Sequence, residues 1–384
     1  MTAISHGLCR PCAFGLPALV FVLLCLAPAW ATDNGASPLV TPTILSSEAF
    51  GRMNASARGL AGENASGGAA WESTSEWRDY QQSIDGRWSY LNRVRLSAMN
   101  NWANSELGGL RGETRAVFYP FSGPDFLYAN TFFPNSKYLL MAGLEPVGTM
   151  PDLAKLQDEG KLGAYLGQMK TSLYTILVAS FFKTKDMKND FNNQLVDGLM
   201  PAIIVFLSRQ GYTIDAIDYV TLGHDGSVYH RGDASGAPGV QIAYGDRSDP
   251  RYLLYFQADL GNDGLHDNPG FVRLMQKLGP GITYLKAASY LLYEDYFSII
   301  RNGILDNSLG VVEDDSGIPF HDFKPAEWDV TPYGNYTGPI KLFQDHYQQD
   351  LADFYAHTPH APLPFGSGYK FVASVSSLLV AKKK

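Results

Sequence analysis

Two apolar runs joined by a short helical pattern constrain this chain more than any other stretch. Val117 to Phe121 is apolar and stops at Ser122-Gly123-Pro124-Asp125. A helical pattern follows, and a second apolar run, Tyr138 to Leu144, stops at Glu145-Pro146. Both runs have strand length and neither alternates, which is the pattern of strands covered on both faces. Parallel neighbours need a crossover, and the helical segment between the runs supplies one. The expected fold is therefore α/β: a mixed, largely parallel sheet with helices on both faces. The stretch Tyr212 to Phe256 alternates instead, with turn chemistry at His224-Asp225-Gly226, and reads as an antiparallel hairpin or meander insertion.

Elsewhere, Trp77, Tyr80, Ile84, Trp88, Leu91, Val94 and Met99 recur at three- or four-residue steps, predicting a helical region from Ser75 to Leu107 with one buried face. Further helices are expected over Asp152 to Phe182 and Asp186 to Arg209, after Asn268-Pro269, and over Ala287 to Ile304 and Lys341 to His357. Ile282 to Leu285, Leu309 to Val312 and Tyr369 to Val375 read as strands. Pro319 to Pro339, rich in aromatic residues, Pro and Gly, reads as a long ordered loop.

The N-terminus carries Arg10, an apolar core from Phe14 to Leu26 and the small-x-small triplet Ala29-Trp30-Ala31. This is the layout of a signal peptide, so residues 1–31 are expected to be a cleaved leader and the protein exported, periplasmic or secreted. Residues 32–70, dominated by Gly, Ala, Ser, Asn and Thr, read as a flexible linker ahead of a single α/β domain over 71–384. All three cysteines (Cys9, Cys12, Cys25) lie in the leader, leaving a thiol-free mature chain that relies on its core. The net charge of −8 argues against nucleic acid as a partner, and Lys382-Lys383-Lys384 reads as a solvated tail. No later apolar run is long enough to span a membrane once the leader is removed.

In an open α/β sheet, ligands bind beyond the carboxyl ends of the strands. Those ends carry Ser122, Gly123 and Asp125; Glu145; Asp259, Asn262, Asp263, His266 and Asp267; Lys286; and Glu313, Asp314, Asp315 and Ser316. Such an acidic rim suits a cation, an amine or a polyol. It does not suit a phosphate: the first turn has one glycine, Pro124 removes an amide donor, and no Gly-Lys-Ser/Thr is present. Asp259, Asp263, His266 and Asp267 pack oxygen ligands and a histidine into one loop, the composition of a site for a divalent cation such as calcium.

Two functional readings follow. In the first, the protein binds a polar small molecule or glycan, such as an envelope component, through Ser122 and Glu145 on the rim and through Trp328 and Tyr333, whose rings are suited to stacking on sugars. In the second, it is a hydrolase in which Asp125, Asp314 or Asp315 and His321 serve as acid and base, with or without metal assistance. If Asp314 and Asp315 are extended, they point to opposite sides, so only one would face a given substrate.

Overall fold

The apolar run after Arg115 forms β1 (Ala116–Tyr119), and the run after the crossover helix Phe126–Phe132 forms β2 (Tyr138–Gly143), paired parallel to it. The computed structural model describes residues 37–113, 115–179, 196–370 and 372–384. The expected leader, its cysteines and part of the second helical region lie outside them. Pro38–Lys384 forms one compact unit.

The remaining strands are β3 (Ile214–Gly223), β4 (Val228–His230), β5 (Gly236–Asp246), β6 (Asp249–Gln257), β7 (Gly281–Leu285), β8 (Ser308–Glu313), β9 (Trp328–Gly334) and β10 (Ser377–Lys383). They make a single ten-stranded sheet in the order β4-β3-β5-β6-β2-β1-β7-β8-β10-β9. The central five, β6 to β8 in that order, are mutually parallel. The expected meander is one antiparallel wing of this sheet rather than a separate layer, and β10 and β9 form the other.

Alternate residues of each central strand enter two different cores. Val117, Tyr119, Leu139, Met141, Ile282 and Tyr284 pack on the face covered by the helices Ser47–Leu60, Ser75–Leu91 and Met200–Arg209. Ala116, Phe118, Leu140, Ala142 and Leu254 pack on the other face, under Gly270–Leu278 and Ser298–Asn307. Both sets are removed from water, each large side chain contributing about 1.5–3 kcal/mol, and this double burial is why the runs do not alternate. Of the expected stripe, Trp77, Tyr80, Ile84, Leu91 and Met99 are part of the first core and Trp88 packs against it, while Val94 is exposed.

The structure departs from the sequence expectations in several places. The stretch 32–70, expected to be a linker, contains a helix in its described part. Ser46 caps the helix Ser47–Leu60, whose Ala57, Gly59 and Leu60 are buried. A Cβ on Gly59 would collide with the Trp71 ring or Leu153, so this helix packs through small residues, and its low hydrophobicity hides a close contact. Ahead of it, Val40 O accepts from Gln241, and Thr43 pairs with Asp218.

The expected loop Pro319 to Pro339 contains β9, an edge strand, where Pro332 is tolerated because one side of the strand needs no ladder partner. Ala287 to Ile304 is broken into 3₁₀ turns before the helix Ser298–Asn307, and Lys341 to His357 likewise into a 3₁₀ segment and the helix Gln349–His357. The last strand lies at Ser377–Lys383, not Tyr369 to Val375. Lys382 and Lys383 therefore belong to the sheet; the Lys383 ammonium lies 5.5 Å from the Trp328 ring centre and donates to Leu305 O.

Candidate functional site at the strand ends

Because β1, β7 and β8 are parallel and adjacent, the turns that follow them open on one side of the sheet. After β1 the chain enters the left-handed region at Phe121 (φ 59°) and Gly123 (φ 52°). Ser122 N donates to Ala142 O, tying this turn to β2, and Asp125 then caps the helix Phe126–Phe132 by accepting from Tyr128 N. After β7 the chain does the same at Ala287 (φ 63°, ψ −75°), a conformation that strains a residue with a Cβ.

These two bends deliver Asp125 and Lys286 to each other as a buried ion pair, each less than a tenth exposed. Tyr119 donates to the same carboxylate (2.9 Å), and the Lys286 ammonium lies 3.7 Å from the centre of the Tyr128 ring. Arg95 Nη1 donates to the Tyr128 hydroxyl. Asp314, just beyond β8, accepts from Ala287 N (3.1 Å) and from Ser316 N and Oγ. A Cβ on Gly368 (φ 56°) would collide with the Asp314 carboxylate, so the Ser367–Lys370 turn closes directly over it. Asp315 turns the other way, to Lys370 (2.7 Å) and the Tyr290 hydroxyl (3.1 Å), so the adjacent aspartates take separate partners.

Burial dominates the electrostatics. It pushes the Asp125 carboxyl up, with the Lys286 ammonium opposing, and pushes the Lys286 ammonium down, with Asp125 opposing. Burial and then the neighbouring Asp315 raise Asp314 to about 6. Glu313, wholly enclosed and accepting from Ile318 N, is held well above the carboxylate range by burial. Between these groups lies Tyr284. Its ring is edge-on to Tyr119 at 4.9 Å, both Asp125 and Asp314 act on its phenol, and the Ser367 side chain is the polar group beside its buried hydroxyl, short of a well-formed hydrogen bond.

Of the residues named from sequence, Asp125 and Asp314 meet in this cluster, Asp315 adjoins it, and Ser122 lies in the β1 turn with its Oγ 3.1 Å from Gly123 O and 3.3 Å from Ala142 O. Glu145 folds back beside Gly143, near the Tyr255 hydroxyl and Gly123 N, and Tyr255 donates to its backbone carbonyl. His321 is exposed, and its acidic neighbours are Asp322 and Asp350, each 3.8 Å away. Trp328 and Tyr333 are buried on opposite faces of β9, Trp328 edge-on to Phe323 and Tyr333 edge-on to Trp102. They cannot form one exposed stacking platform, because residues five apart on a strand face opposite sides.

Asp259 accepts from Gly261 N and lines a pocket of about 310 Å³ with His224 and Asp267, while Asp263 contacts the Tyr296 hydroxyl. Among the described residues no three His, Cys, Asp or Glu side chains are arranged to hold a metal. The sequence reading placed Lys286 at a strand end without a role and passed over Tyr119, Tyr284 and Lys370. A lysine directly after the short β-branched and aromatic run Ile282 to Leu285 was the available signal for the first. Comparisons of this chain with protein-family models, with curated proteins and with solved structures find no match.

Proposed function

We propose that this is an exported protein that binds a polar, hydroxyl-bearing ligand such as a glycan or an envelope component at the Asp125–Lys286–Asp314 cluster. The observation that supports this most is the buried Tyr284 hydroxyl, which both Asp125 and Asp314 act on at the strand ends and which makes no well-formed hydrogen bond among the described residues. Open α/β sheets use that edge for ligands, and a donor or acceptor from a ligand would complete the hydrogen bonding of this hydroxyl.

The test is a thermal-shift screen of the purified protein against mono- and disaccharides and polyols, since a ligand of the native state raises the apparent melting temperature. A saturable shift that Tyr284→Phe abolishes, without lowering the unliganded melting temperature, supports the reading. A shift that Tyr284→Phe leaves intact overturns it, as does no shift with any member of the panel.

A second reading, hydrolysis by acid–base chemistry, draws on one specific feature. Asp314, raised to about 6, acts on the same lysine as Asp125, and carboxyls held near neutrality are the ones suited to proton transfer. Under that reading Asp314→Asn lowers turnover of a glycoside or ester substrate at least about 100-fold; full activity in that variant would remove it.

A further inference from the structure

A second pocket lies apart from the strand-end cluster, where the chain leaving β2 crosses the segment before the helix Met200–Arg209. The crossing is fixed by Gly148 (φ 72°) and Gly198 (φ 71°), which meet so closely that a Cβ on either would strike the other segment's backbone. Leu199 N and Met200 N donate to Pro146 O and Val147 O, and Thr149 N donates to Asp197 O. Beside this rigid wall is a cavity of about 210 Å³ lined by Thr149, Asp152, Lys155, Glu159, Tyr165 and Asp197.

The polar lining is unevenly satisfied. Asp152 caps the helix Leu153–Asp158 by accepting from Ala154 N and Lys155 N, and Glu159 pairs with Lys161 and Lys155. The Asp197 side chain has no ion-pair partner among the described residues. Tyr165, 3% exposed, has a hydroxyl with no hydrogen-bond partner among them. Burial first, then Tyr80 and Asp197, push the titration of that phenol up. The lining holds three carboxylates and one lysine, an excess of negative charge, with the exposed Asp197 carboxylate facing solvent and the Tyr165 hydroxyl without a partner among the described residues.

We infer that this pocket is a binding site for a small ligand bearing a primary ammonium group, which donates to the Asp197 carboxylate and to the Tyr165 hydroxyl oxygen. The pocket shares no residue with the strand-end cluster, so each is tested alone. Calorimetric titration of the whole protein at low ionic strength with ethanolamine, and with glycerol as the neutral comparison, reads it directly. Saturable ethanolamine binding is expected, with none for glycerol. Tyr165→Phe weakens it about five-fold and Asp197→Asn about ten-fold or more, as losses of a neutral and a charge-assisted hydrogen bond. Tyr165→Phe removes only an unpartnered hydroxyl, so its melting temperature stays at or above that of the parent. Absence of saturable ethanolamine binding, equal binding of glycerol, or a Tyr165→Phe variant that binds as tightly as the parent overturns the inference.

Discussion

The two ends of the parallel strands carry the same pair of residue types in opposite surroundings. At the amino end, Lys137 ahead of β2 pairs with Asp249 at the start of β6, and the Asp249 side chain is 84% exposed. At the carboxyl end, Lys286 pairs with Asp125, and those side chains are 2% and 4% exposed. Water solvates the first pair whether or not its members touch. The second pair has given up that solvation, so each ion depends on its partner and on Tyr119. An identical contact is thus a surface detail at one pole and a structural commitment at the other, and perturbation should separate them.

The largest expected effect is at the buried pole. Lys286→Met alone, or Asp125→Leu alone, leaves an uncompensated buried charge and should destabilise the protein by about 3–5 kcal/mol in urea denaturation, while the double variant recovers most of the loss. Equal losses in single and double variants would mean that the pair is not mutually dependent. Next comes Gly368→Ala, expected to be destabilising by about 2 kcal/mol, because its positive φ strains any Cβ and that Cβ meets the Asp314 carboxylate. A neutral result would show that the Ser367–Lys370 turn does not press on the cluster.

A third effect is a pH dependence. The folded-state value for Asp314, about 6, lies above the 3.8 of an unfolded aspartate, so the folded state binds that proton more tightly. Its contribution to stability is complete below pH 3.8 and is lost as the pH rises to about 6. Urea midpoints measured across that range should fall less steeply in Asp314→Asn than in the parent. An unchanged slope would assign the titration elsewhere. The smallest effect is at the exposed pole, where Asp249→Ala should change stability by less than about 0.5 kcal/mol and be further masked by salt. A loss as large as that of the Lys286 variant would erase the distinction between the poles.

How far the sequence disclosed this arrangement depended on whether a feature was local. β1 and β2 were readable because each is a short apolar run stopped by turn chemistry, and their parallel pairing followed from the crossover between them; Ile282 to Leu285 and Leu309 to Val312 read as strands with no partner assigned, and the structure makes them parallel neighbours. That Asp125 and Asp314 share an edge was expected from the strand-end rule for open α/β sheets, not from any pairing read for the strand before Asp314. The Asp125–Lys286 contact was not readable, since it joins residues 161 apart in the chain with no motif around either.

Trp328 and Tyr333 misled for the opposite reason. Their composition suits sugar stacking, and only the pleat of β9 sends the two rings to different cores. The helix Ser47–Leu60 escaped notice because it packs through Ala57 and Gly59 rather than through large apolar residues, and β9 because Pro332 is acceptable only on an edge whose position comes from the whole sheet.

The left-handed turns at Phe121 and Ala287 have a further consequence. They fix the course of the main chain, not of any one functional group, and they do so just beyond two neighbouring strands. The side chains also brace the frame, Asp125 accepting from Tyr128 N and Asp314 from Ala287 N: an isosteric amide at Asp314 alters the chemistry on offer while keeping an oxygen for that main-chain bond. Relaxing Ala287 to glycine does the reverse, keeping every functional group and loosening the mould that aims them.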